Sequence, residues 1–122
     1  MPRFVVLEHR LGAGHARATH WDLMFEQNEV LVTWALEEPP AVGHAVAARS
    51  LDAHRLAYLD YEGPLSGDRG EVLRWDAGHY RLVARDDRQW RCVLAGQRLR
   101  GVCTLSRDSD DPQRWTCSLD AS

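Results

Sequence analysis

His9, His20 and Asp22 are the residues of this chain whose types and spacing could do chemistry. Two imidazoles and one carboxylate suit Mn, Fe or Zn and keep coordination positions open for a substrate. Within His20-Trp21-Asp22 the two ligand-type residues are two apart, so on an extended strand both project from one face. Trp21 then points the other way. His9 closes the run Phe4-Val5-Val6-Leu7-Glu8, and a neighbouring strand would bring it alongside. His15, in the glycine-containing loop between them, competes for the third position, although the strand register makes His9 the better anchor. An H-x-D pair is also common as a hydrogen-bonded surface pair, so both readings stand at this point.

A second group lies further on. His54 and Tyr58 would set an imidazole and a phenol over one pocket if residues 54, 56 and 58 shared a strand face. The alternative is a loop histidine beside a half-buried aromatic with a wet hydroxyl. Ser66-Gly67-Asp68-Arg69-Gly70 has the look of an anion loop but lacks the Lys-Ser/Thr of a P-loop, so it reads as a turn. Arg69 at its tip is a phosphate contact if that turn borders the site. Arg49 is a further candidate because it enters the same segment as His54. Trp34, Trp75, Trp90 and Trp115 read as core or barrel aromatics, and His44 and His79 as ordinary exposed or turn residues.

The elements that must position these groups are short and β-rich. Strands are expected near Arg3–Glu8, His20–Glu26, Val30–Leu36, Val46–Leu51, Ala57–Asp60, Glu71–Asp76, His79–Ala84, Gln89–Leu94, Arg98–Ser106 and Trp115–Leu119. Turn signals separate them, among them Gln27-Asn28, Glu38-Pro39-Pro40, Gly63-Pro64, Asp76-Ala77-Gly78 and the acidic hairpin loop Asp108–Pro112. Such spacing predicts an all-β fold, a small closed antiparallel β-barrel, with at most one short helix at Ala41–Ala48. Closure removes the edge strands.

A chain of 122 residues with 44% apolar content fits one domain over 1–122. The net charge of -3 argues against a generally basic nucleic-acid coat, although all 15 basic residues are Arg, which leaves room for a local phosphate-binding groove. Cys92, Cys103 and Cys117 are odd in number and lack a C-x-x-C pair, which predicts buried reduced thiols. There is no signal-peptide apolar region and no run near the roughly 20 residues of a membrane span. A cytoplasmic, membrane-free monomer is the expectation.

Taken together, these residues resemble the 3′-phosphoesterase domain of bacterial DNA ligase D and its short stand-alone relatives. The matching stretches are Phe4-Val5-Val6-Leu7-Glu8-His9, His20-Trp21-Asp22-Leu23, Thr33-Trp34-Ala35 with Pro39-Pro40, and Ala53-His54-Arg55-Leu56-Ala57-Tyr58-Leu59-Asp60-Tyr61-Glu62-Gly63. Trp75-Asp76-Ala77-Gly78 and Gly96-Gln97-Arg98-Leu99-Arg100-Gly101 follow in order, so the match runs from about residue 3 to 105. The resemblance implies a Mn-dependent hydrolase that trims 3′ ends in DNA repair, removing a terminal ribonucleoside and then the 3′-phosphate. Carried over, His9, His20 and Asp22 hold the metal, His54 contacts or protonates the scissile phosphate, and Tyr58 lines that site. Two departures stand out. An Arg usual two residues after the ligand Asp is Met24, and a Lys usual in the proline-bearing turn is Glu38.

The expected function is a metal-dependent 3′-end-processing phosphoesterase acting on nucleic acid ends, with Mn²⁺ preferred and Zn²⁺ the alternative. Arg17, Arg49 or Arg69 could replace the missing basic residues from other directions, and Arg49 or Arg69 would complete the clamp. The first rival is a non-catalytic metal-binding module of the same fold that binds nucleic acid ends, or a separate ligase or polymerase partner. The second is a plain β-barrel interaction domain without metal.

Overall fold

The computed structural model describes residues 1–11 and 19–121, so His15 and Arg17 lie outside the described residues. Nine strands follow one another: β1 (Arg3–Arg10), β2 (His20–Gln27), β3 (Val30–Leu36), β4 (Val46–Arg55), β5 (Gly63–Pro64), β6 (Glu71–Arg85), β7 (Gln89–Gly96), β8 (Arg100–Arg107) and β9 (Arg114–Asp120). The order β1-β2-β3-β4-β9-β8-β7-β6 closes on itself through β1–β6, giving an eight-stranded antiparallel barrel with β5 as a short flap on β6. The barrel expectation holds. Among the described residues no helix is long and apolar enough to cross a membrane.

Alternation sorts the strands into two faces. Phe4, Val6, Leu23, Phe25, Trp34, Leu36, Tyr80, Trp90, Leu105 and Trp115 point inward and form the main core. Trp34 meets Trp90 and Trp115 edge-on at 5.6 and 5.3 Å between ring centroids, a favourable aromatic geometry. The opposite face of β1–β3 is also apolar: Val5, Leu7, Met24 and Leu31 form a second cluster with Leu59 and Val72. The segment between β4 and β6 covers it. Continuous apolar runs such as Phe4–Leu7 and Leu23-Met24-Phe25 thus bury both faces, as such runs require.

Three sequence expectations change. Ala57–Asp60 is not a strand; Leu56–Leu59 is a single 3₁₀ turn, closed by the Asp60 amide donating to the Ala57 carbonyl at 3.2 Å. Leu56 and Leu59 are three apart, the repeat of that helix, and both pack onto the outer cluster. Ala41–Ala48 forms no helix; Ala41 and His44 make an isolated bridge and Val46 opens β4. Glu71–Asp76 and His79–Ala84 are one strand, β6, so Asp76-Ala77-Gly78 is not a turn.

The physical reason lies at the β7–β8 hairpin. Asp76 is buried, and its carboxylate accepts the Gln97 and Arg98 amides on Oδ1 at 2.9 and 3.0 Å and the Leu99 amide on Oδ2 at 2.9 Å. Gly78 and Gly96 pair across the sheet, and a Cβ on Gly78 would collide with the Ala95 carbonyl. Turn-forming residue types are used here for close approach inside a strand. The three cysteines are buried and unbridged. Hydrogen bonding with Cys117 and Cys92, together with burial, pushes the Cys103 thiol well above its ordinary range.

Asp76→Ala leaves three hairpin amides without their acceptor. We expect a loss of roughly 3 kcal/mol in urea denaturation, with metal affinity unchanged.

Candidate metal centre

The cluster lies on the outer face of the barrel. His9 and His20 are directly paired between β1 and β2, and Leu7 is paired with Asp22, so alternation turns all three candidate ligands outward. Trp21 turns inward and packs against the main core, as its position in H-x-D requires. His20 and Asp22 are 7% and 3% exposed. His9 Nδ1 lies 3.2 Å from His20 Nε2 and 3.6 Å from Asp22 Oδ2. His20 Nε2 lies 3.2 Å from Asp22 Oδ1, yet Oδ1 is buried and accepts no well-aligned hydrogen bond among the described residues.

The donor atoms all fall within 4.8 Å of one another. Ligands held at about 2.1 Å from one cation are about 3.0 to 3.4 Å apart at octahedral to tetrahedral angles, so these spacings suit a shared divalent ion. His9 is oriented for that role. Its Nε2 lies 2.7 Å from the Arg69 carbonyl, and donation there would leave the Nδ1 lone pair for a cation shared with His20 and Asp22. The loop carrying Arg69 reaches β1 because Gly70, at φ +83°, sits against the Arg10 carbonyl, where a Cβ would collide.

Burial is the strongest single influence on Asp22 and pushes its carboxyl up. The hydrogen bonds and charges of His20 and His9 together outweigh it, so the group stays below its ordinary value. A buried carboxylate held ionised beside two imidazoles is the electrostatic arrangement a cation site needs.

One concavity borders the cluster at His20, and a second lies at the Arg69 loop. The first, of about 530 Å³, runs from His20 over Ala35 to Arg49 and Arg114. The other, of about 330 Å³, holds Tyr58, Tyr61, Arg55 and Arg69. The structure therefore separates the four candidate catalytic residues. Arg49 belongs to the His20 side, whereas Tyr58 and Arg69 line the second pocket. His54 meets Tyr58 edge-on at 5.7 Å, but not through a shared strand face. His54 sits near the end of β4, and Tyr58 is in the 3₁₀ turn. Its Nδ1 lies 2.9 Å from the Asp52 carbonyl, so Nε2 is the nitrogen available for proton exchange. Arg69 is turned back on its own loop, donating to the Ser66 carbonyl at 2.7 Å.

The two departures have structural accounts. Met24 is 1% exposed within the outer cluster, where an apolar side chain is what the site accommodates. Glu38 is exposed and pairs with His44 at 3.3 Å. The sequence reading missed Arg114. The alternation Arg114-Trp115-Thr116-Cys117 places its side chain outward, but only the β4–β9 pairing shows that it stands beside Arg49.

A closed antiparallel barrel with a His-His-Asp cluster on its outer wall defines a β-barrel domain with a candidate surface metal site. The chain belongs to the DNA ligase D 3′-phosphoesterase domain family, whose family model matches residues 13–107. It is 35% identical over 123 residues to the multifunctional non-homologous end joining protein LigD of Mycobacterium bovis, covering 92% of this chain. The corresponding DNA repair protein of Mycobacterium tuberculosis gives the same figures. The LigD of Mycolicibacterium smegmatis is 31% identical over 83 residues, 64% of this chain and 10% of that protein. The chain spans 15% of the length of the Mycobacterium bovis and Mycobacterium tuberculosis relatives.

Calorimetric titration with Mn²⁺ should give one site per chain, lost in His20→Ala and weakened at least about tenfold when the Arg69 loop is shortened, since that loop orients His9. In the metal-free protein, the depressed Asp22 carboxyl contributes stability that is present above its unfolded pKa of about 4 and lost as pH falls through the lower folded value. The Tm advantage of wild type over Asp22→Asn should therefore shrink between pH 6 and pH 3.

Proposed function

We propose that this domain is a Mn²⁺-dependent phosphoesterase that processes 3′ ends of nucleic acid in DNA repair. The observation that carries the reading is the convergence of His9, His20 and Asp22 beside an arginine-bearing concavity. Membership of the 3′-phosphoesterase family supports it. His9, His20 and Asp22 would hold the ion, which supplies a Lewis acid for the phosphate and a more acidic bound water.

The chain's own groups do the remainder. The Arg69 carbonyl fixes the His9 tautomer. Arg49 neutralises backbone charge of the bound strand on the His20 side. His54, its Nδ1 engaged by the Asp52 carbonyl, presents Nε2 to protonate a leaving oxygen, and Tyr58 packs against that ring to hold it. Arg69 reaches phosphate after exchanging its bonds to Ser66. The relatives carry this domain inside a multifunctional end-joining protein, which supports a ligase or polymerase as the partner that receives the trimmed end.

Buried Met24 and the Glu38–His44 pair favour a second reading, a metal-holding module that binds ends without turnover.

A primer-template bearing a 3′-phosphate or a single 3′ ribonucleotide, incubated with Mn²⁺, separates the two. Phosphate release abolished by chelator and by His20→Ala, and lowered about 10²-fold or more in kcat by His54→Ala, supports the enzyme. Metal-dependent end binding with no release supports the module. Activity should also fall steeply between 50 and 200 mM salt, since phosphate contacts release counterions.

A further inference from the structure

Asp22, Ala35, Arg49 and Arg114 occupy one register row across β2, β3, β4 and β9. Directly paired residues share a face, so the row reads outward as ligand, small residue, arginine, arginine. Ala35 is the low floor between the metal cluster and the two guanidiniums, and the 530 Å³ cavity lies over it. Arg114 is beyond residues 13–107 of the family match. Like charges placed directly opposite repel and destabilise a sheet unless something of opposite charge lies between them. Asp108 stands 3.9 Å from Arg114, and Gln113 accepts from Arg49 at 3.2 Å. Both are exposed contacts of little strength, readily exchanged for a stronger acceptor.

We propose that Arg49 and Arg114 together hold one backbone phosphate of the bound strand, the one neighbouring the phosphate at the metal cluster. This rests on the end-processing reading for the identity of the ligand. Three strand spacings, about 14 Å, separate the Asp22 backbone from that of Arg114, too far for one phosphate at the cluster to be shared with both arginines. The second guanidinium comes from β9. Its position is fixed by the hairpin loop, in which the Arg114 amide donates to the Asp111 carbonyl at 3.0 Å and the Gln113 amide to Asp111 Oδ1 at 3.0 Å. Glu37 lines the same cavity and disfavours a phosphate placed on its side, which directs the strand toward the arginine pair. The clamp supplies strand-binding charge on a chain whose Met24 and Glu38 supply none.

The test is fluorescence anisotropy of a labelled single-stranded dodecamer with a 3′-phosphate on the Mn²⁺-loaded protein. Arg49→Gln, Arg114→Gln, the double variant and Arg100→Gln, an exposed arginine on β8, are compared, with thermal melting as the folding control. Each clamp variant should weaken binding about tenfold and lower the salt slope by about 0.7. The double variant should lose less than the product of the two, because the pair grips one phosphate. Arg100→Gln should bind as wild type does. Unchanged binding in Arg114→Gln, a strictly multiplicative double variant, or an equal loss in Arg100→Gln would each overturn the clamp while leaving end processing intact. Failure of the wild type to bind the dodecamer would remove both. Binding that depends on Arg114 with no release of the 3′-phosphate would keep the clamp and sink the phosphatase activity.

Discussion

Strand β1 has to bury both of its faces, and the rest of the molecule follows from that constraint. Its inward residues Phe4 and Val6 enter the main core and its outward residues Val5 and Leu7 enter the second cluster. It is also hydrogen-bonded on both edges, to β2 and β6, and so closes the barrel. A strand with no solvent face and no open edge has little freedom, and His9 at its end inherits that rigidity. Covering the outer face falls to the segment between β4 and β6. The same segment carries Tyr58 and Arg69, and the Arg69 carbonyl reaches His9 of the cluster. Apolar burial and the assembly of the site are therefore one event in this fold.

The site sets a buried carboxylate and a buried imidazole into the outer wall of the barrel. A carboxylate as buried as Asp22 is costly without compensation, and here the two imidazoles hold it ionised. A shared cation would satisfy Asp22 Oδ1 and both nitrogens at once. The guanidiniums stand further out, at the rims of the two concavities, where water still reaches them and their charge remains inexpensive. Such a gradient, from buried acceptors at the centre to exposed cations at the rim, suits an anionic polymer passing over a metal site. It is achieved on a chain of net negative charge, so the arrangement of charge matters more than its sum.

Several motifs that carried the family resemblance turn out to support the scaffold. Asp76 ties the β7–β8 hairpin through three amides, and Gly78 and Gly96 let two strands approach. Leu56 and Leu59 cap the outer cluster. Their order along the chain reflects the barrel's construction, whereas the chemistry is confined to fewer residues. Met24 belongs to the first kind: its side chain contributes packing beneath the 3₁₀ turn.

Strand alternation and turn signals in the sequence were enough to determine an antiparallel barrel, and the H-x-D spacing alone put His20 and Asp22 on one face with Trp21 on the other. These are local properties, set by a period of two and by residue type. The joining of β6 through Asp76-Ala77-Gly78 was not legible, because the same residues serve a turn or a close approach, and only the partner strand decides. Ala57–Asp60 reads as a strand for a similar reason: four residues are too few to tell a period of two from three when the covering surface is unknown. His9 needed the β1–β2 register to meet its partners. The pairing of β4 with β9 brought Arg114 beside Arg49 across 65 residues of sequence. Such long-range pairings are chosen by the closure of the whole sheet, and only the tertiary structure contains that closure.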